Sequence, residues 1–588
     1  MATTFALRVP VRAAAHPHKA RLRWVLAAGW AVQVVLRLWL YRYHTAPVAN
    51  PDETGYLLAA RWLAGGPGAD LTGSTFYQAG YALPLVPIFW LTSDPVLAYR
   101  LVFVVGSVVA AGAYPLAYLL LRRLGVGGRA AAAMAFAAGL SPALLLFAGL
   151  ALADAILPVL VLAWLIAVHD FVARGSARAG LMAGALAGFA MAVHLRGAVV
   201  LAVWVLLVTG ATLSARASRQ VLGRGRERVP WWVSRRAVLA AVAGAGVTAA
   251  AGRALNDALA AALYPGGARD LSGLLLSRLT SLEGQAWALS GAAGQLWYLI
   301  AGTWGLAGVG LVGAAVTLVR RAAPLAHRVL AGTLLITTLG IAYASSAALP
   351  DEHRVGNYVY GRYLACVAVA WTLAGLVALV RSGRLAVVRH TLAAAGLLAV
   401  TGGVAAWYAG DRLERYAFIA FDFPEMIFLS GSRDSLDMAG ASLSALAMLA
   451  CLAGAALLAT GRARLLVAGV LGLVHLAFAA HLAPATPAAP AASAASGATA
   501  VPAASGQDWL PAPPPGRVAV DRRVKWNVWV PLSYRVWWTE VEHYDGPPPE
   551  GVCTAVVPPG ALPPPGWTAT GQGGARQGWT TWRGAHCP

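Results

Sequence analysis

The sequence predicts an all-α polytopic membrane protein of about 13 spanning helices, followed by a small polar domain that is β-containing. Three observations predict it. Hydrophobic residues make up 59% of the 588-residue chain and charged residues 12%, whereas soluble globular proteins are about 25% charged. Apolar runs of about 20 residues, the length that crosses a bilayer, recur between residues 24 and 482. Beyond residue 506 the pattern changes to a polar stretch rich in Trp and Pro.

The net charge is +21. In a soluble protein that excess would suit nucleic acid. Here most of the Arg lies in short connectors, where positive charge fixes orientation in the membrane. No basic stripe carries interleaved aromatics, so a nucleic-acid partner is set aside. Ala and Arg are abundant and Lys is rare, as in a high-GC bacterial gene. Residues 1–23 form a basic tail (Arg8, Arg12, Lys19, Arg21, Arg23). No small-residue cleavage site follows the first span, so that span is expected to stay as an anchor.

The spans read 24–42, 96–121, 129–148, 153–173, 179–194, 197–213, 237–255, 294–319, 325–345, 361–380, 390–409, 437–459 and 464–482. With the N-terminus cytoplasmic, Arg122, Arg123, Arg129, Arg174, Arg178, Arg320, Arg321, Arg381 and Arg384 fall inside. Of the acids in the spanning region, 16 lie in outer connectors and only Asp170 and Glu227 in inner ones. An odd number of spans leaves the C-terminus outside, in a multi-pass plasma-membrane protein. The basic run from Arg216 to Arg236, with Trp231 and Trp232, reads as an anchor on anionic lipid.

The first outer loop, 43–95, is the most informative connector. It opens on Asn50-Pro51-Asp52-Glu53-Thr54-Gly55-Tyr56. Thr54–Ala64 has helical spacing, with Tyr56, Leu57, Ala60 and Leu63 on one face, and Gly65-Gly66-Pro67-Gly68 ends it. Gln78–Leu91 is apolar but too short to span. It reads as an interfacial helix with Tyr81 and Trp90 at headgroup level. Asp94-Pro95 starts the second span.

A carboxylate pair just after the first span, two interfacial helices and then Pro95–Arg123 together resemble the GT-C superfamily. These are polytopic glycosyltransferases that use polyprenyl-phosphate sugars. The nearest branch is the protein O-mannosyltransferase and lipid A aminoarabinose transferase type. The likeness covers residues 24–180 and loosens towards 380. It implies an enzyme that moves a hexosyl or pentosyl group from a polyprenyl-phosphate donor to an extracytoplasmic glycan, lipid or protein. It also implies that Asp52 is the general base, with Glu53 as its catalytic neighbour, and that Asp154 lines the same cavity.

The residue types suit that chemistry. A sugar hydroxyl is a poor nucleophile, and a carboxylate within hydrogen-bond reach can take its proton as it attacks. Adjacent helical residues point about 100° apart, so Asp52 and Glu53 are expected to do different jobs. The bland alternative is a pair of solvated acids, one capping the following helix. Asp154 likewise suits the N-terminal end of its helix dipole.

The candidate substrate-binding residues are Tyr56, Asp154, His194, Arg196, Arg354, Tyr360, Arg362 and Tyr363. His194 and Arg196 occupy the outer turn between spans five and six, where a cationic pair could hold a lipid-linked phosphate. Arg354, Tyr358, Tyr360, Arg362 and Tyr363 gather where the tenth span begins. A leaving phosphate needs such a cation, and Tyr can stack on a sugar or donate to it. Snorkelling Arg within an aromatic belt is the alternative. Asp52, Glu53 and Asp154 could offer oxygen ligands to Mg²⁺ or Mn²⁺, although no spacing demands a metal. The loops at 256–291 and 411–437 show no recognisable motif.

Residues 483–506 are an Ala/Pro/Ser linker, and 507–588 a small outer domain with strands expected at 517–521, 524–541 and 553–557. Its many Trp residues suit carbohydrate stacking, a small core or a docking surface equally. Cys553 and Cys587 could pair if this domain is extracytoplasmic. Cys366 and Cys451 fall in apolar spans as inert core residues.

Two other classes of function compete with the enzyme. A transporter or flippase would place ionisable groups at mid-bilayer and often carry internal repeats. Only Arg37 lies within a span interior, and no repeat is visible. The third class is a non-catalytic cell-envelope protein with a degenerate site.

Overall fold

A computed structural model describes residues 17–222, 234–458, 463–483, 516–574 and 578–587. The tail before residue 17, the centre of the basic run at 223–233 and the linker from 484 onwards lie outside the described residues. Within them, ten helices are long and apolar enough to cross a membrane. The number is eleven if the pair Leu282–Gly302 and Leu306–Val319, bent by 111°, counts as one span.

Three expected spans take a different form. The 129–148 run breaks into Gly128–Gly139 and Pro142–Phe147, because Pro142 has no N–H with which to continue the first helix. The break leaves carbonyls without helical partners in an apolar setting. Arg37 answers them, donating from Nη2 to Gly139 O at 2.5 Å and from Nε to Leu144 O at 3.3 Å. The mid-span cation is thus a helix-end cap. The 179–194 run forms a short helix, Ala177–Val193, sealed against Arg235–Leu263 by a stripe of small residues. A Cβ on Gly184 would come within 2.2 Å of Ala241 O, and one on Gly244 within 2.4 Å of Leu181 O. Such close backbone approach is what small residues allow between membrane helices. The 294–319 run is the bent pair, turned at Trp304 and Gly305, which have φ of 57° and 79°.

The connectors at the acidic end are more ordered than expected. The first loop carries the helix Asp52–Leu63, which ends at Gly65 with φ of 87°. The 79–91 stretch is helical, with Trp90 exposed as expected. Tyr81 instead is buried, packed edge-on to Tyr56 at 5.0 Å, and so does not reach the headgroup level. The 256–291 loop is mostly helix, because Arg235–Leu263 runs on past its expected end and Leu271–Thr280 follows. Cys366 is buried, but Cys451 is exposed on its helix and is not a core residue.

The C-terminal domain is a five-stranded sheet: β1 (Arg517–Asp521), β2 (Val541–Tyr544), β3 (Val552–Val557), β4 (Trp567–Gly574) and β5 (Trp579–Gly584), in the order β2-β1-β3-β5-β4. The strand expected over 524–541 is instead the helix Trp526–Arg535. The alternation of Val and Trp there competes with a four-residue period, Val524, Val528, Leu532 and Val536, and the second pattern is the one buried against the sheet. This helix joins β1 to β2, which pair in parallel and therefore need a crossover. Cys553 and Cys587 form a disulfide that ties β3 to the last residues.

The domain clamps the first loop. Arg61, near the end of the Asp52–Leu63 helix, is almost fully buried. Its guanidinium donates to five carbonyls, those of Pro67, Gly68, Ser533, Tyr534 and Val536. Tyr534 donates to Pro95 O at 2.7 Å, and Ala69 bridges Val541 in parallel. Arg61→Ala would leave those carbonyls unserved in a dry interface. It should lower unfolding stability by roughly 3 kcal/mol and lower the thermal midpoint of the purified protein in detergent, with Arg61→Lys intermediate.

Candidate active site

Four elements converge at the acidic end of the bundle. The helix Asp52–Leu63 brings Asp52 at its first turn, and the short 3₁₀ turn Ala153–Ala155 brings Asp154 just ahead of the span Leu157–Arg174. The span Arg196–Leu213 opens on Arg196, and Gly361–Arg381 brings Arg362 in its first turn.

Asp154 is fully buried and holds two guanidiniums. Arg196 Nη2 donates to Oδ1 at 2.7 Å and Arg362 Nε to Oδ2 at 2.8 Å. Burial alone would raise this carboxyl, but Arg196 and Arg362 hold it well below the usual carboxylate range. Arg362 extends a second nitrogen, Nη1, to Asp52 Oδ2 at 2.5 Å. Tyr77 donates to Asp52 Oδ1 at 3.0 Å. The Asp52 side chain remains 31% exposed, the most open carboxylate of this cluster.

Around this knot lie the other expected residues. Arg196 also donates to the carbonyls of Arg362 and Tyr363, and its Nε points at His194 Nδ1 at 3.2 Å. Burial, and then the neighbouring Arg196, push His194 far down, so its imidazole is neutral and accepts from that guanidinium. Tyr360 and Tyr363 pack edge-on at 4.9 Å, and Arg196 lies over the Tyr363 ring at 5.4 Å. Tyr56 is buried between Tyr77 and Tyr81. Its phenol is raised by burial and then by Asp154 and Asp52. Arg354 lies further out. It pairs with Glu352 at 3.0 Å, has Asp422 at 3.6 Å and covers the Tyr360 ring at 5.5 Å.

Glu53 takes a different place from the one expected of it. It is fully buried on the other side of its helix. Oε1 accepts from the N–H groups of Val48 and Ala49, and Oε2 from Tyr99 Oη and Ala151 N at 2.6 and 2.7 Å. With four donors on two oxygens it has no lone pair left for a substrate. It pins the start of the helix to the 150 loop. This corrects the pairing of Glu53 with Asp52 as a catalytic couple.

The acids do not fit a divalent cation. Glu53 is saturated, and Asp154 faces two guanidiniums. Among the described residues the one cluster of ligand-type side chains is Cys553, His586 and Cys587, and those sulfurs are joined in the disulfide. No step is routed through a metal.

Two residues that the sequence left unassigned complete the site. Asp422 and Glu425, from the 411–437 loop, share an open cleft with Arg362, Tyr360, Tyr298 and Phe421. Burial pushes Asp422 up to about 6 against the pull of Arg354 and Arg362. Glu425, also raised by burial, accepts from Tyr298 Oη at 2.5 Å. No local motif marks them, because they reach the site only through the fold. A second cleft opens where the first loop meets the C-terminal domain. Its walls include Arg61, Phe89, Tyr534 and Trp537 but no carboxylate, so it offers no base.

No family model matches the sequence, and no curated protein matches it. Among solved structures the chain is similar to ArnT from Cupriavidus metallidurans bound to undecaprenyl phosphate. Identity is 14% over 97% of this chain and 98% of that one, with a TM-score of 0.50. The apo state of the same protein matches at 15% identity over 96% and 98%, again with a TM-score of 0.50. At such identities the likeness is one of fold. The membrane fold shared with that protein extends over essentially the whole chain.

Two stability measurements follow from this geometry. Asp154→Asn strands two buried guanidiniums and should cost about 3–5 kcal/mol. The Asp154 pKa is held below its unfolded value of about 4. Its contribution is therefore full above about pH 4 and is lost as pH falls towards the folded value. The variant's unfolding profile should accordingly be flatter on the acid side. Glu53→Gln places an amide NH₂ against donors and should destabilise by about 2 kcal/mol, with Asp52→Asn costing less.

Proposed function

We propose that this chain is a membrane glycosyltransferase. It moves a sugar from a polyprenyl-phosphate donor to a hydroxyl of an extracytoplasmic acceptor, with Asp52 as general base. The observation that supports this best is the state of Asp52. It is a half-open carboxylate at the rim of the bundle, aimed by Tyr77 and Arg362 and backed by a buried ionic knot. The shared fold with a protein whose structure holds undecaprenyl phosphate supports a lipid-phosphate donor.

The acceptor O–H gives its proton to an Asp52 oxygen while the acceptor oxygen bonds to the anomeric carbon. The bond from that carbon to the phosphate oxygen breaks, and the electron pair leaves with the polyprenyl phosphate. Developing charge on that phosphate needs a fixed cation, and a guanidinium binds phosphate oxygens well. Arg362 can supply it by exchanging Asp52 for a phosphate oxygen while Asp154 keeps it in place. That exchange frees Asp52 at the moment a base is required. Arg196 and neutral His194 support the same guanidinium cluster from behind. Tyr56, Tyr360 and Tyr363 form the walls.

In this reading the site faces away from the cytoplasm, as the charge segregation of the connectors predicts. A transporter reading loses the mid-span cation that the sequence offered it, because Arg37 is spent on the carbonyls of a helix break.

The test is genetic and chemical. In a deletion strain, mass spectrometry of lipid-linked sugars and envelope glycans should show a donor lipid that accumulates and a glycan that is lost. Wild-type protein restores both. Asp52→Asn, inserted and folded to the same level, should fall at least about 100-fold in transfer rate. Full restoration by Asp52→Asn removes Asp52 as the base.

A further inference from the structure

The cleft beside Arg362 contains a carboxylate that the mechanism above does not use. Asp422 is only 5% exposed, and its Oδ2 has no hydrogen-bond partner. The nearest cation, Arg354 Nη1, is 3.6 Å away. A buried carboxylate oxygen with one long ion pair and no hydrogen bond is costly, and the residue lines an open cleft. The carboxyl, standing at the wall of this cleft with acceptor capacity to spare, can take a hydrogen bond from something that enters.

The charge around it selects the visitor. The carboxyls of Asp52, Asp154, Asp422 and Glu425 stand against the guanidiniums of Arg196, Arg354 and Arg362, and Arg354 also serves Glu352. No positive charge is left over, so a second anion has no counter-charge in this cleft. A cation would meet Arg362 at its wall. A neutral group rich in O–H donors suits the place. The remaining walls agree: Tyr298, Tyr360 and Phe421 surround the carboxyls, and Phe421 is 38% exposed. Aromatic faces beside hydrogen-bond acceptors suit a sugar ring, which presents C–H groups on its faces and O–H groups at its edge.

We propose that this cleft is the glycosyl subsite of the donor, with Asp422 accepting from sugar hydroxyls and Phe421 covering a ring face, so that both residues set which sugar is transferred. The proposal deepens the glycosyltransferase reading and rests on it. It separates recognition of the sugar, at Asp422 and Phe421, from recognition of the lipid phosphate, at Arg362.

The experiment compares two kinds of probe on the purified full-length chain in nanodiscs. One is undecaprenyl phosphate alone. The other is a panel of undecaprenyl phosphates carrying glucose, mannose or arabinose. At least one sugar should bind wild type more tightly than the bare lipid. Asp422→Asn should weaken that sugar-bearing lipid at least tenfold and leave the bare lipid within twofold. Phe421→Ala, at a half-exposed position with little packing to lose, should do the same to a smaller degree and serves if Asp422→Asn fails to fold. Equal weakening of both probes, or of neither, overturns the subsite. So does a wild type that binds the bare lipid and every sugar-bearing lipid alike, which leaves the lipid-phosphate part of the reading standing. A wild type that binds none of the probes removes the glycosyltransferase reading and the subsite together.

Discussion

Two guanidiniums closing on one buried carboxylate hold the acidic end together. Asp154 takes Arg196 on one oxygen and Arg362 on the other. Each of the three stands at or just before the start of a different span, so this contact sets three helices at one depth. An isolated buried charge would be too costly to keep, so none of the three can move alone. Arg362 then has both Nη nitrogens to spare, and one of them, Nη1, reaches Asp52. The position of the proposed base is in this way fixed by a fully buried charge.

The helix that carries Asp52 is held at both ends by unlike means. At its start Glu53 accepts four hydrogen bonds and ties it to the 150 loop. Near its end Arg61 donates to carbonyls of the first loop and of the C-terminal domain. The first anchor is a buried acceptor and the second a buried donor, and both work on backbone groups that would otherwise be unserved. The small C-terminal domain therefore belongs to the mechanical support of the site. Its Trp residues divide accordingly: Trp579 and Trp582 fill the sheet's two faces, while Trp537 lines the junction with the first loop.

Much of this could be read from residue order. Apolar runs and the segregation of acids from Arg marked the membrane fold and the end at which the acids gather. The position of Asp52 after the first span, and the clustering of Arg and Tyr before residue 363, pointed at residues that the fold brings together. Three features could not be read. Asp422 and Glu425 lie in a loop without a motif and meet Arg362 only in space. Arg61 looks like one more surface Arg on an amphipathic helix until its carbonyl partners, 472 to 475 positions away, are known. Glu53 sits beside Asp52 in sequence, and only the helical turn sends it into the interior. The stretch at 524–541 shows the same limit locally, since two periodicities coexist there and the burial available decides between them.

A double-mutant cycle between Asp52 and Arg362 probes whether the base and its cation act as one unit. Single-turnover sugar transfer would be measured for wild type, Asp52→Asn, Arg362→Lys and the pair, using the donor lipid found in the deletion strain. If Arg362 both aims Asp52 and takes over the leaving phosphate, the combined loss falls short of the summed single losses by at least about 1 kcal/mol. Losses that add within about 0.3 kcal/mol would mean that the two residues act independently and that the contact between them has no part in the chemistry.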